Sequence, residues 1–123
     1  MAYVPEAGHA IWLTFDPQAG HEQSGRRPAV VLSPASYNLR TGLLLACPVT
    51  GQVKGYPFEV ALPSGSSVSG VALSDQVKSA DWRSRQAAFI CVLPDSTVAD
   101  IVAKLSALLP GLALILDKSL QIW

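Results

Sequence analysis

The sequence predicts a mainly β fold, a small barrel followed by one C-terminal helix, and three observations carry that reading. Short apolar or β-branched runs, six or seven of them, recur along most of the chain with Gly, Pro and Ser between them. Towards the end the apolar period changes from two residues to three and four, which marks a helix. The 123 residues (13.0 kDa) are enough for one domain with a buried core and too few for two of ordinary size.

The first strand is expected over residues 9–15, where Ile11, Leu13 and Phe15 alternate with Ala10, Trp12 and Thr14. Asp16-Pro17 ends it, and residues 18–27, which hold Gly20, Gly25 and no hydrophobic period, are expected to form a long exposed loop. Residues 28–33 and 43–50 are apolar runs bounded by Pro and Gly and suit buried strands, with a turn or short helical connection over 33–42. Shorter strands are expected over 58–62, 71–73, 76–79 and 87–92.

Val98, Ile101, Val102, Leu105, Leu108 and Leu109 then line one helix face. Pro94 and Asp95-Ser96-Thr97 start this helix, Thr97 and Asp100 are spaced as a capping box, and Pro110-Gly111 stops it. Residues 1–111 are taken as the domain. Residues 112–123 form an apolar extension of open role: an added strand, a packed segment or a partly ordered end.

Half of the residues are hydrophobic and 15% are charged, so the chain has apolar surface to offset its ordering entropy and is not disordered as a whole. Nine Lys and Arg balance nine Asp and Glu, which leaves no overall field to draw the protein onto a polyanion; any such partner needs a local patch. Cys47, Cys91 and two His at wide spacing make a poor zinc set, so the expectation is a protein without metal or other cofactor. The N-terminus lacks the charged start of a secretory signal, and the apolar stretch 105–116 is broken by Ser106, Pro110 and Gly111. A cytoplasmic protein with no membrane span is expected.

A patch is present. No acidic residue lies between Glu22 and Glu59, whereas Arg26, Arg27, Arg40 and Lys54 do. Lys54 precedes Tyr56 and Phe58, and Lys78, Arg83 and Arg85 flank Trp82, so cations and aromatics interleave twice. Cations for phosphates beside aromatic faces for bases are what single-stranded nucleic acid requires. The same aromatics would serve equally as core or contact residues. His9 and His21 admit a two-imidazole ribonuclease reading, although His9 begins a strand and reads as structural.

Several segments together carry a resemblance: Trp12-Leu13-Thr14-Phe15-Asp16-Pro17, Gly20-His21-Glu22-Gln23, Gly25-Arg26-Arg27-Pro28-Ala29-Val30-Val31-Leu32-Ser33-Pro34, Tyr37-Asn38, Thr41-Gly42, Lys54-Gly55-Tyr56-Pro57-Phe58-Glu59-Val60 and Asp75-Gln76-Val77-Lys78-Ser79. In this colinear order, from Tyr3 to about Leu109, they resemble the MazF/PemK family of toxin endoribonucleases. The resemblance implies an SH3-like barrel with a C-terminal helix, a homodimer, metal-independent cleavage of single-stranded RNA, and inhibition by a MazE-like antitoxin.

It also implies a site. Glu22 matches the acidic residue of the first loop, Arg27 the arginine before Pro-Ala-Val-Val, and Thr50 the threonine that ends the third strand. His21, Asn38, Lys54, Tyr56, Gln76, Lys78 and Arg85 stand at family-like positions suited to contact RNA. Thr14 departs from the pattern, where members often carry an acid, and the tail runs past the usual end.

The chemistry of the three catalytic candidates can be argued from their side chains. Cleavage without metal uses the neighbouring 2′-hydroxyl as nucleophile, so a base must take its proton and donors must hold the charge that builds on phosphorus. A guanidinium such as Arg27 offers several donors in a plane and stays charged at any working pH. Glu22 is the candidate base, and Thr50 can donate to a phosphate oxygen or orient Arg27. A surface ion pair for Glu22 and a strand-end role for Thr50 are the plain structural alternatives. Rival functions are a non-enzymatic barrel of the gyrase-poisoning type and an RNA-binding module that does not cut.

Overall fold

The computed structural model describes residues 2–15 and 20–117, without the side chains of residues 116 and 117. Seven strands and three helices follow in the order β1 (His9–Thr14), β2 (Arg26–Val31), α1 (Ala35–Thr41), β3 (Leu43–Thr50), β4 (Glu59–Ala61), β5 (Val71–Leu73), β6 (Lys78–Asp81), β7 (Ala88–Val92), α2 (Asp95–Ser106) and α3 (Gly111–Asp117). A 3-10 turn, Ser74–Gln76, joins β5 to β6. The last predicted short strand before β7 is therefore shifted: Gln76 belongs to the turn, and the strand begins at Lys78.

All pairings are antiparallel, in the path β4-β5-β3-β2-β1-β7, with β6 also on β3. The mainly β class and the C-terminal helix are as expected. The barrel is an open one: β4 and β7 end the hydrogen-bonded path, and no ladder joins them among the described residues. Two β3 neighbours share one edge. Residues Leu43 to Ala46 pair with β6, whereas Val49 and Thr50 pair with β5.

The central strands bury both faces, so alternating residues feed two cores. Ala10, Val30, Cys47 and Val49 join Val60, Ala72 and Ile101 of α2 on one side. Ile11, Leu13, Ala29, Val31, Leu44 and Ala46 join Phe15 and Trp82 on the other. Adjacent Ala10 and Ile11 are both buried because they enter opposite cores, and the β1–β7 register shifts between them. Each fully enclosed Ile or Leu side chain contributes about 1.5–3 kcal/mol of burial.

Helix α2 begins after Pro94, and no side chain caps its N-terminus, so the Thr97/Asp100 box does not form; Thr97 is instead buried. The apolar stripe is covered on one side only. Ile101 is enclosed, while Val102, Leu108 and Leu109 are exposed. Regular α2 ends at Ser106, short of Leu109, and the expected stop at Pro110-Gly111 is a restart: proline precedes α3, where an absent N–H costs nothing. The extension thus opens as a helix with Leu114 and Ile115 exposed, and residues 118–123 lie outside the described part.

Candidate active site

The β2–β3 ladder pairs Val31 with Ala46, Val30 with Cys47 and Ala29 with Pro48. Continued by two residues, that register sets Arg27 against Thr50. The ladder stops there for a chemical reason. Pro48, the last paired residue of β3, and Pro28, one step further along β2, have no N–H to donate, so the pairing ends there.

Arg27 uses the opening. Its Nε donates to Ser24 O at 2.9 Å and its Nη1 to Val49 O at 3.4 Å, so the guanidinium spans the gap between the first loop and the end of β3. Among the described residues these bonds engage two of its five donors, which fixes the plane while other donors of the same guanidinium can meet an anion.

Thr50 is 8% exposed, and its Oγ1 accepts from Gln52 N at 3.1 Å. Its backbone is pinned from the other side by Gly70. With φ +111° and the Thr50 carbonyl oxygen standing where a Cβ would go, that position admits no side chain.

Thr50 opens into a cleft of about 540 Å3, whose wall also includes His21, Gln23, Lys54, Tyr56 and Gln76. A second cleft of about 220 Å3 is lined by Glu22, Gln23, Pro48, Gln76 and Lys78 among others. Both share Gln23, Asp75 and Gln76, so they are two lobes of one groove that meet at the 3-10 turn. Glu22 faces one lobe and Thr50 the other, and Arg27 lies between their two chain segments while lining neither.

The loop that carries Lys54 and Tyr56 is held at three points. Both carboxylate oxygens of Glu59 accept backbone N–H groups, from Lys54 and Gly55, each at 3.0 Å. Lys104 of α2 donates to Pro57 O at 2.7 Å. The Tyr56 phenol donates to Asp75 Oδ2 at 2.5 Å, and this bond to a carboxylate raises the Tyr56 pKa. The exposed Tyr56 ring is tilted against Phe58 at 5.7 Å. One wall of the groove is therefore an aromatic surface in a fixed place.

Of the residues expected to contact RNA, His21, Lys54, Tyr56, Gln76 and Lys78 line this groove. Asn38 does not, and that expectation is corrected. It is 0% exposed, its Nδ2 donates to Pro5 O (2.8 Å) and Ser33 O (3.1 Å), and its Oδ1 accepts from Ser33 Oγ (2.6 Å). An amide so enclosed and so saturated holds α1 against the N-terminal segment and has nothing left for a ligand.

Arg85 also lies elsewhere. It donates to Thr14 O at 3.0 Å and borders a separate shallow depression with Thr14, Ser79 and Asp81. The Asp81 carboxyl is held below its ordinary pKa by the Ser84 N–H it accepts. Arg26, next to Arg27 but on the opposite face of β2, reaches Thr14 Oγ1 at 3.3 Å.

Trp82 is a core residue, with Nε1 donating to Asn38 O at 2.8 Å, so it is not a platform for bases. His9 accepts or donates at Nδ1 to the Tyr3 hydroxyl at 2.8 Å and lies against Tyr3 and Phe89; burial lowers its pKa against the opposing charge of Glu6. It shares no cleft with His21, so the two imidazoles do not form an acid–base pair.

Sequence reasoning passed over Gln23, Glu59 and Asp75, which the groove uses. Asp75 adjoins Gln76 in a motif already singled out, and an acid among expected RNA contacts was the available signal.

This geometry agrees with what the chain resembles. It is 52% identical over 107 residues to the endoribonuclease toxin MazF of Escherichia coli K12, covering 87% of this chain and 96% of that protein. The crystal structure of MazF from Deinococcus radiodurans superposes with a TM-score of 0.86 at 59% identity, over 89% of this chain and 99% of that one. A MazE-MazF structure from the same organism gives a TM-score of 0.81, also at 59% identity, over 89% and 98%. A model of the PemK-like, MazF-like toxins of type II toxin-antitoxin systems matches residues 6–109, and this chain belongs to that family.

Proposed function

We propose that this protein is the toxin of a toxin-antitoxin pair and acts as a metal-independent endoribonuclease on single-stranded RNA. The observation that carries the reading is the meeting of Arg27 with the Val49–Thr50 strand end, beside the loop of Glu22. Glu22 takes the proton of a 2′-hydroxyl, the 2′-oxygen bonds to phosphorus, and the bond from phosphorus to the 5′-oxygen breaks. The products are a 2′,3′-cyclic phosphate and a 5′-hydroxyl, whose proton balances the one removed. Arg27 and the Thr50 hydroxyl hold the oxygens on which charge builds, the kind of fixed donor set that supplies a large share of catalysis.

Lys54 and Lys78 serve neighbouring phosphates, and the Tyr56 ring and His21 serve bases. DNA, lacking the 2′-hydroxyl, survives. The groove wall sets Lys54, Lys78 and the Tyr56 ring among the carboxylates of Glu22, Glu59 and Asp75, and the two ammonium groups and the ring are what an acidic and apolar segment of a MazE-like antitoxin would engage, blocking RNA by occupying its place. Two copies form the working unit, a role for which the exposed Leu43, Leu45 and Phe89 of the sheet are suited. No helix among the described residues is long and apolar enough to cross a membrane, in keeping with work on messenger RNA in the cytoplasm.

The test is incubation of the purified protein with long single-stranded RNA in EDTA and mapping of the new ends. Discrete cuts with 5′-hydroxyl ends are expected, and lost with Arg27→Ala. Intact RNA points to a barrel that binds a protein target or RNA without cutting, and loss of cutting in EDTA overturns the metal-independent chemistry.

A further inference from the structure

The side chain of Gln76 does something that its place in the groove wall does not by itself explain. Its Oε1 accepts from Gln23 N at 3.1 Å, and its Nε2 donates to His21 O at 3.4 Å. Those two atoms belong to the two peptide groups on either side of the Glu22 Cα. One planar amide, across more than fifty residues of sequence, thus holds both peptide planes whose rotation aims the Glu22 side chain. Only Asn and Gln carry an acceptor and a donor side by side on one planar amide, and Asn is a methylene shorter. Glu lacks the donor and Lys the acceptor.

The base of this clasp is firm. Gln76 ends the 3-10 turn, Ser74 of the same turn is fully buried with its N–H donated to Phe58 O at 3.1 Å, and α2 packs against the turn. The preceding residue, Asp75, fastens Tyr56 on the other lobe. The neighbouring side chains of one short turn therefore tie down the two loops that wall the groove.

We propose that Gln76 is a positioning residue for Glu22, acting on cleavage by fixing the carboxylate rather than by reading a base. The proposal rests on the endoribonuclease reading, with Glu22 as base. A misplaced base slows the proton transfer and leaves RNA affinity alone.

The test uses the full chain and one RNA substrate containing a mapped cut site. Gln76→Ala is expected to lower kcat about tenfold or more, with KM within about twofold of the original and the cut-site sequence unchanged. In a Glu22→Gln background the same change is expected to cost nothing further, because a residue that works through Glu22 has nothing left to position. A raised KM, a changed cut-site sequence, or additive losses in the double variant overturn the proposal in favour of direct RNA contact.

A second measurement needs no cleavage: the Gln23 amide hydrogen is expected to exchange faster in Gln76→Ala, with the thermal midpoint little changed. Unchanged exchange overturns the clasp. If the original protein cuts no RNA while Gln23 exchange still depends on Gln76, the endoribonuclease reading falls and the clasp stands.

Discussion

Two carboxamides, both at positions that match the family, have opposite fates. Asn38 is enclosed and spends its donors and its acceptor on Pro5 and Ser33. Gln76 is half-exposed at the junction of two clefts, and its partners are the backbone of a loop. The difference is one of alternatives. Around Asn38 no water can replace a lost bond, so the cost of breaking the network falls on folding; around Gln76 solvent is at hand, so the cost falls on the aim of a neighbouring residue. A polar side chain in a motif is therefore sorted by whether its hydrogen-bond capacity is spent inside.

That contrast can be broken most sharply at the groove. Arg27→Ala removes the guanidinium at the parted strand ends and is expected to lower kcat by about 100- to 1,000-fold, with a thermal midpoint close to the original. Single-turnover cleavage with thermal melts of both proteins checks it. A large fall in stability alongside would make Arg27 a strut between Ser24 and Val49 first.

Asn38→Ala is the converse case. It leaves Pro5 O, Ser33 O and the Ser33 hydroxyl without their buried partner, and a loss of about 3 kcal/mol in unfolding free energy is expected, with the cut-site sequence unchanged. Denaturant unfolding measures the first and end mapping the second.

Gly70→Ala lies between the two. A methyl group there meets the Thr50 carbonyl head-on and at a φ that L residues avoid, so the end of β3 must shift. A loss of about 2 kcal/mol in stability together with a kcat about tenfold lower is expected, since Thr50 moves with its backbone. Equal activity would show that the position of Thr50 is not critical.

The smallest effects concern titration. His9 has a lowered pKa in the folded protein, so the unfolded chain binds its proton first as pH falls; stability is full above the unfolded value near 6.5 and declines below it. Melts between about pH 7.5 and 5 are expected to show this slope and His9→Gln to flatten it. Cys47, whose thiol is pushed up to about 12 by burial and then by the charge of Asp75, is expected to resist alkylation at pH 8, while partly exposed Cys91 reacts first. Mass spectrometry of the labelled peptides decides.

Much of this was legible in residue patterns. The alternation of Ile11, Leu13 and Phe15 and the runs that became β2 and β3 report burial directly, because a strand repeats every two residues whatever it packs on. The stripe at Val98, Ile101 and Leu105 reports α2 likewise. What went astray shares a cause. The Thr97/Asp100 spacing fits a cap, but Pro94 sets the helix start earlier and Thr97 is drawn into the core. Arg85 and Trp82 sit among aromatics and cations in sequence, yet one reaches Thr14 and the other Asn38, contacts more than forty residues distant.

The chain alone determined which segments are strands, that Glu22, Arg27 and Thr50 bring a carboxylate, a guanidinium and a hydroxyl, and that prolines stand at both 28 and 48. Local sterics and period dictate these, and they need no knowledge of distant partners. Only the tertiary structure decided that those prolines fall one step apart at the end of the β2–β3 ladder, that the pairing stops there, and that an amide from a remote turn grips the loop of Glu22. Such choices depend on which polar atoms are left unsatisfied once the strands have paired, and that accounting exists only in three dimensions.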